Sequence, residues 1–105
     1  MIKTDDANFY TDIVTNDKMC VVKFWAEWCG PCHAFSPTLQ SVVDGMQDIM
    51  LYSLNIDENP ESTKNYMIKS IPTSLIFKGG QVVGKIVGNV DRRTVVEILE
   101  EATKI

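Results

Sequence analysis

The chain reads MCVVKFWAEWCGPC from residue 19 to residue 32, an apolar run that leads into a pair of cysteines. The run from Met19 to Trp25 is almost entirely apolar and rich in Val and aromatic residues, which is typical of a central strand buried on both faces. The Gly-Pro pair then turns the chain, and we predict a helix from about Cys32 to Gln47. The two cysteines therefore fall at the junction between a strand and a helix N-terminus.

This location makes the C-x-x-C pair of Cys29 and Cys32 a candidate for chemistry. A thiol at a helix N-terminus lies beside free backbone N–H groups and the positive end of the helix dipole, so its thiolate form is favoured. A thiolate attacks disulfides, and a second thiol nearby resolves the mixed disulfide. The chain has three cysteines, and one pair plus a spare fits an intracellular redox protein better than a disulfide scaffold.

The rest of the chain alternates predicted helices with predicted strands. The further predictions are a short strand at Ile2-Lys3, a helix capped by Asp5 or Asp6 and ending near Asn16, a strand at Ile49 to Asn55, a helix at Glu58 to Tyr66, strands at Thr73 to Lys78 and Gln81 to Val87 joined by Gly79-Gly80, and a final helix capped by Asp91. This order predicts an α/β fold, with a central mixed sheet of four to five strands flanked by four helices.

Length and composition favour a single domain over residues 1–105. The formal net charge is -4 with no basic stripe, which argues against nucleic acid as a partner. The first residues lack the apolar core of a secretory signal, and no stretch is suited to span a bilayer, so we expect no membrane association. We expect a cytoplasmic monomer, with an organellar location left open if a transit peptide has been removed.

The segment FWAEWCGPC, at residues 24–32, resembles the active-site segment of the thioredoxin family. The resemblance covers essentially the whole chain, with further matching segments at Asn55-Ile56-Asp57, Ser70-Ile71-Pro72-Thr73, Phe77-Lys78-Gly79-Gly80 and Val87-Gly88. It implies a thioredoxin fold and reduction of disulfides in target proteins. Cys29 would be the exposed attacking thiol and Cys32 the more buried resolving one. It also implies re-reduction by an NADPH-dependent thioredoxin reductase, with no bound cofactor and the Cys29–Cys32 disulfide as the redox group.

A second matching segment predicts where a target protein docks. Ile71-Pro72-Thr73 is similar to the family's cis-proline segment, whose backbone could pair with an extended peptide by strand addition. The predicted docking surface consists of Trp28, Gly30, Pro31, Ile71, Pro72, Val87, Gly88 and Asn89. For Gly88, a bulge or a tight approach of the backbone at a strand end is an equal alternative.

The resemblance places Asp57 where the family has an acid that hydrogen-bonds its first tryptophan, here Trp25. An ordinary loop or helix-capping role for Asp57 is the alternative. Lys23 departs from the family pattern, because it stands where the family has a buried Asp on the central strand, and Ser53 replaces that acid's frequent Lys partner.

Two interpretations of Lys23 compete. A desolvated Lys23 could accept the proton of Cys32 or stabilise its thiolate. Alternatively, its ammonium reaches solvent and water carries the proton, and we favour this second interpretation because burying a lone ammonium is costly.

The neighbouring residues add smaller hypotheses. Gly30 and Pro31 hold the geometry of the pair, and His33 could tune the thiolate with pH, although an inert exposed role is favoured. Zinc bound by Cys20, Cys29, Cys32 and His33 is disfavoured, and Cys20 is interpreted as a core residue.

Two other function classes remain alternatives: a thioredoxin-fold binding or scaffold subunit with secondary redox activity, and a disulfide oxidase or isomerase. The intact cysteine pair argues against the first. Pro31 argues against the second, because the resemblance associates Gly-Pro between the cysteines with reducing members.

Overall fold

The computed structural model describes all residues, 1–105, and contains one five-stranded sheet in the order β1-β3-β2-β4-β5. The strands are β1 (Ile2–Lys3), β2 (Met19–Trp25), β3 (Ile49–Asn55), β4 (Thr73–Lys78) and β5 (Gln81–Val87), and the helices are α1 (Gly30–Asp44), α2 (Pro60–Asn65) and α3 (Arg92–Thr103). None of the helices is both long enough and apolar enough to cross a membrane. The sheet is mixed, because β3 pairs in parallel with β1 and β2 whereas β4 pairs antiparallel with β2 and β5.

All five predicted strands are present, and the four long ones have the predicted bounds. The continuous apolar pattern of β2 fits its central position, where both faces are covered. The final helix begins as predicted, since the Asp91 carboxylate accepts the Thr94 N–H at 2.9 Å. The α/β fold predicted from the sequence is confirmed.

The first helix is present but is shorter than predicted and is a π-helix. The chain forms turns and then a single stretch of π-helix at Tyr10–Val14, so the four helices are this one and three α-helices. Asp5 does accept the Asn8 N–H at 2.8 Å, but Asp6 serves another helix. Its carboxylate accepts the N–H groups of Glu61 and Ser62 in α2, at 3.1 and 2.8 Å. A carboxylate capping a distant helix cannot be recognised from local sequence.

Two apolar layers cover the two faces of the sheet. The layer against α1 and α3 contains Phe35, Leu39 and Leu99, and the opposite layer contains Phe9, Ile13 and Phe24. Alternation along β2 sends Val21 to the first layer and Cys20 to the second. By the same alternation, Lys23 faces α1.

The helix α1 begins two residues earlier than predicted, at Gly30. This start makes Cys29 the N-cap residue, with an extended backbone (φ -92°, ψ 102°), and places Cys32 in the first turn. Both cysteines therefore lie at the carboxyl end of β2, at the edge of the sheet where loops leave the core.

Candidate redox site

Cys29 and Cys32 form a disulfide, with their Cα atoms 5.3 Å apart. The Cys32 N–H donates a hydrogen bond to Cys29 Sγ at 3.2 Å, so a backbone group of the first helical turn is directed at the first sulfur. In the reduced protein the same N–H and the helix dipole would favour a thiolate at Cys29. The assignment of Cys29 as the nucleophile stays a prediction.

The two cysteines differ in exposure less than the sequence suggested. Cys29 is 4% exposed and Cys32 is fully buried, so the predicted order is right, but the description of Cys29 as exposed was wrong. The pair packs with Ala26 and with the partly buried Trp25 and Ile71. Only a small part of the Cys29 surface is therefore open to solvent.

The predicted cis-proline segment lies next to the pair. The Ile71–Pro72 peptide bond is cis, and Ile71 O lies 3.9 Å from Cys29 Sγ. The Gly88 N–H donates to Pro72 O at 2.7 Å, and Gly88 has φ +86°, a conformation that favours glycine. Gly88 therefore connects the end of β5 to the proline segment, which agrees with its interpretation as a tight backbone approach at a strand end.

Exposed apolar side chains surround the pair. Trp28 is 70% exposed and Val87 is 52% exposed, while Ile71 is partly buried and packs against the cysteines. Gly30, Pro31 and Asn89 are also exposed, and Pro72 is buried. Large exposed apolar residues beside a reactive group are typical of a surface that binds another protein.

The predicted bond between Asp57 and Trp25 was wrong. Asp57 Oδ2 accepts a hydrogen bond from Trp28 Nε1 at 2.8 Å, so the acid holds the second tryptophan. Trp25, the last residue of β2, instead packs edge-on against the His33 ring, with the ring centroids 5.8 Å apart. The hydrogen bond joins the β2–α1 loop, which carries Trp28, to the segment after β3, which carries Asp57. It therefore depends on how these two loops pack together.

The favoured interpretation of Lys23, in which the ammonium reaches solvent, was also wrong. Lys23 is 3% exposed, because β3 and β4 flank its strand and α1 covers it. Its Nζ donates to Cys32 O at 3.2 Å and contacts Ser36 Oγ, and it lies 5.7 Å from the Trp25 ring centroid. Burial lowers the pKa of Lys23, since the charged form loses hydration.

Lys23 forms no ion pair. The two salt bridges of the molecule both join residues of the C-terminal region. No hydrogen bond joins its Nζ to either sulfur. Its direct contact with the pair is therefore the hydrogen bond to the Cys32 carbonyl.

Sequence reasoning missed Ser36, which completes this arrangement. Its hydroxyl donates to Cys32 O at 3.2 Å and its oxygen contacts Lys23 Nζ. The spacing from Cys32 was a usable signal, because a serine often bonds the carbonyl four residues earlier in a helix. Ser74 was missed as well: it pairs with Lys23 in the β2–β4 register, and its fully buried hydroxyl has no partner.

His33 is exposed, and its Nε2 lies 2.8 Å from Glu27 O. A carbonyl oxygen accepts hydrogen bonds, so Nε2 carries the proton in this arrangement. The ring thus ties the first turn of α1 to the loop that precedes Cys29. It forms no hydrogen bond with a sulfur atom.

Cys20 lies in the apolar layer opposite α1, fully buried and unpaired. Burial, with a smaller effect of the Asp12 carboxylate, raises the pKa of its thiol to about 11. The prediction that Cys20 is a core residue is confirmed. Cys29 and Cys32 are bonded to each other, and no group of three or more metal-binding side chains is close enough to hold an ion.

The fold and the bonded cysteine pair define a thiol–disulfide oxidoreductase. The family model "Thioredoxin" matches residues 1–101. The chain is 41% identical over 97 residues to a thioredoxin of Chlorobaculum thiosulfatiphilum, an alignment covering 91% of this chain and 90% of the relative. It is 43% identical over 88 residues to a thioredoxin of Mycobacterium bovis, covering 83% of this chain and 76% of the relative.

A bifunctional thioredoxin reductase/thioredoxin of Mycobacterium leprae is 39% identical over 88 residues, covering 83% of this chain and 19% of that longer protein. The chain belongs to the thioredoxin family and is a protein-disulfide reductase. Its redox group is the Cys29–Cys32 disulfide.

Proposed function

We propose that Cys29 is the attacking thiolate and Cys32 the resolving thiol of this reductase. Cys29 attacks one sulfur of a target disulfide, and the other target sulfur leaves as a thiolate and takes up a proton. Cys32 then loses its proton and attacks Cys29 Sγ, so the second target sulfur leaves as well. Two electrons pass to the target, and the Cys29–Cys32 disulfide forms. The observation that carries this assignment is the Cys32 N–H directed at Cys29 Sγ.

The proposed docking surface is the apolar ring around the pair. A target segment would lie in extended form along the backbone at Ile71 and Pro72, close to Cys29 Sγ. Trp28, Val87, the exposed residues Gly30, Pro31 and Asn89, and the partly buried Gly88 would cover its side chains. This arrangement would bring a target disulfide to the small exposed part of Cys29.

The proposed electron donor is an NADPH-dependent thioredoxin reductase. The reductase/thioredoxin fusion among the relatives supports this pairing, because one chain there carries both named activities. We further propose that the protein acts as a monomeric single domain in the cytoplasm. Compartments that contain such a reductase keep thiols reduced, and a protein-disulfide reductase requires that supply of electrons.

Lys23 is proposed to tune the pair. Its ammonium donates to Cys32 O, and a buried positive charge near a thiol favours the thiolate. Stabilising the thiolate stabilises the reduced form, so Lys23 would raise the reduction potential of the pair. A buried carboxylate at the same position would have the opposite effect and would lower the reduction potential.

Gly30, Pro31 and His33 are proposed to act through geometry. Pro31 lies in the first turn of α1, where its missing N–H would have had no helical partner. A Cβ at Gly30 would meet nothing within 4 Å, so the sequence between the cysteines leaves room for a target to approach. His33 would hold the loop before Cys29 through the Glu27 carbonyl.

Trapping tests the assignment of the two cysteines. A Cys32→Ser variant, reduced and mixed with a disulfide-bonded protein such as insulin, should accumulate a mixed disulfide through Cys29. The matched Cys29→Ser variant should trap little or none, because Cys32 is fully buried. Mass spectrometry of the trapped species identifies the bonded cysteine. Trapping by Cys29→Ser and not by Cys32→Ser would reverse the assignment.

A further inference from the structure

The ammonium of Lys23 is a buried charge with no acidic partner. The whole chain carries an excess of acidic residues, with a formal net charge of -4, yet none of its carboxylates lies within ion-pair distance of Nζ. The groups that do contact Nζ are a backbone carbonyl and a hydroxyl, and neither carries a full charge. A buried charge of this kind calls for a counterion or for deprotonation.

The hydrogen bonds around Nζ leave one donor of the ammonium unused. Ser36 has one hydroxyl proton and donates it to Cys32 O, so its oxygen accepts from Nζ. The carbonyl of Cys32 accepts as well. An ammonium group has three N–H donors, and these two contacts occupy two of them. The hydroxyl of Ser74, opposite Lys23 in the sheet register, is also without a partner.

An open pocket of about 190 Å³ lies beside this group. Its lining consists of Met1, Lys23, Trp25, His33, Ser36 and Ser53. The volume is well above the roughly 15 Å³ that one water molecule needs. The lining includes the Lys23 ammonium and the Ser53 hydroxyl but no carboxylate, so it supplies hydrogen-bond donors and a positive charge.

We propose that this pocket binds a small inorganic anion such as chloride, which serves as the counterion of Lys23. The anion would accept the third N–H of the ammonium, and the Ser53 hydroxyl and water would complete its shell. Anions of this size fit the volume, and no acidic side chain in the lining repels them. The replacement of a carboxylate by Lys23 thus converts the space beneath the redox pair into an anion site.

One consequence rests on the proposed function of the pair. A bound anion offsets the field of Lys23 at Cys32, so it would lower the preference for the thiolate. The reduction potential should then fall as chloride replaces a large anion at constant ionic strength, and Lys23→Met should lose this dependence.

Chloride-35 NMR line broadening tests the site directly, with the oxidised protein and sodium chloride as the probe. We expect a saturable broadening in the wild type that is lost in Lys23→Met and kept in the matched control Lys85→Met, which removes an exposed lysine of β5. Far-UV circular dichroism checks that each variant is folded, and Ser53→Ala provides a second variant with reduced broadening.

Equal broadening in the wild type and a folded Lys23→Met would overturn the proposal, as would the absence of saturable broadening in the wild type. The insulin reduction assay separates this result from the proposed function. If the protein reduces insulin but does not bind chloride, only the anion-site proposal is contradicted. If it binds chloride but does not reduce insulin, only the proposed function is contradicted.

Discussion

Cys29 and Cys20 are both almost inaccessible, yet their surroundings differ completely. Cys29 lies at the N-cap of α1, where the Cys32 N–H is directed at its sulfur and the Ile71 carbonyl lies nearby. Cys20 lies in the middle of β2, and its Sγ has a single long contact, 3.6 Å to Lys18 O. The difference teaches that the polar groups around a sulfur, and not its exposed fraction, separate a reactive thiol from an inert one.

Lys23 extends the comparison along the same strand. Burial raises the pKa of Cys20 and lowers the pKa of Lys23, because in each case the charged form is the one that loses hydration. The thiol is neutral when protonated and the amine is neutral when deprotonated. As pH rises into the alkaline range, the contribution of Cys20 to folding stability therefore falls, whereas that of Lys23 rises.

The largest expected effect separates the two cysteines by activity. Cys29→Ser should reduce NADPH-coupled insulin reduction by a thioredoxin reductase to the background rate, because it removes the nucleophile. Cys20→Ser should retain most of the activity, since Cys20 lies in the layer opposite α1. Comparable losses in both variants, with both proteins folded, would contradict the distinction.

The second prediction concerns alkaline stability. The pKa of Cys20 is about 11 in the folded protein against an ordinary value of 9.0, so the folded state binds more protons between these values. The raised pKa of Cys20 therefore contributes about 3 kcal/mol to the free energy of unfolding. This contribution is fully present below pH 9 and is lost as pH rises through about 11.

Urea unfolding of the oxidised protein at several pH values measures this loss, with Cys20→Ala as the comparison. The difference in unfolding free energy between the wild type and Cys20→Ala should shrink by about that amount across the window. The subtraction removes the contributions of the other groups that titrate there. A constant difference from pH 8 to pH 11 would show that Cys20 does not titrate as proposed.

The third prediction concerns Lys23, whose contribution to stability changes with pH in the direction opposite to that of Cys20. Lys23→Met should stabilise the protein at neutral pH by about 1–3 kcal/mol, because it removes a buried charge while Ser36 still satisfies Cys32 O. The lowered pKa of Lys23 means that the unfolded chain binds more protons between the folded value and 10.5, so wild-type stability due to this group rises with pH in that window.

Chemical unfolding of Lys23→Met and of the exposed control Lys85→Met at neutral and alkaline pH provides the measurement. The advantage of Lys23→Met should narrow as pH approaches 10.5. A destabilised but folded Lys23→Met would mean that the two hydrogen bonds of Nζ outweigh the cost of burying its charge.

The smallest expected effect concerns the docking surface. Asp57→Ala should leave the Trp28 indole without its acceptor and lower kcat/KM for insulin reduction by a few fold, consistent with about 1 kcal/mol for such a bond. Glu58→Ala is the matched control, since it removes the adjacent exposed carboxylate. A larger loss from Glu58→Ala would indicate that local charge, rather than the position of Trp28, governs docking.

Periodic patterns predicted the sheet well but overestimated the length of the first helix, which is a π-helix at Tyr10–Val14. The apolar runs of β2 and β3 and the Gly79-Gly80 turn are local signals, and they gave correct bounds. The segment before β2 has capping residues typical of a helix, but Asp6 bonds to the backbone of α2 instead. Local signals fail where a side chain finds a better partner far along the chain.

The sequence by itself determined the chemistry: two cysteines at a strand-to-helix junction, and a proline segment matching the family's substrate-facing one. Local spacing settles these features, because a strand, a Gly-Pro turn and a helix N-terminus are built from neighbouring residues. Only the tertiary structure decided that Asp57 holds Trp28, that Lys23 is buried against Cys32 O, and that Cys29 is scarcely exposed. Each of these depends on how separate elements pack, and the burial of a group and its partners are properties of that packing.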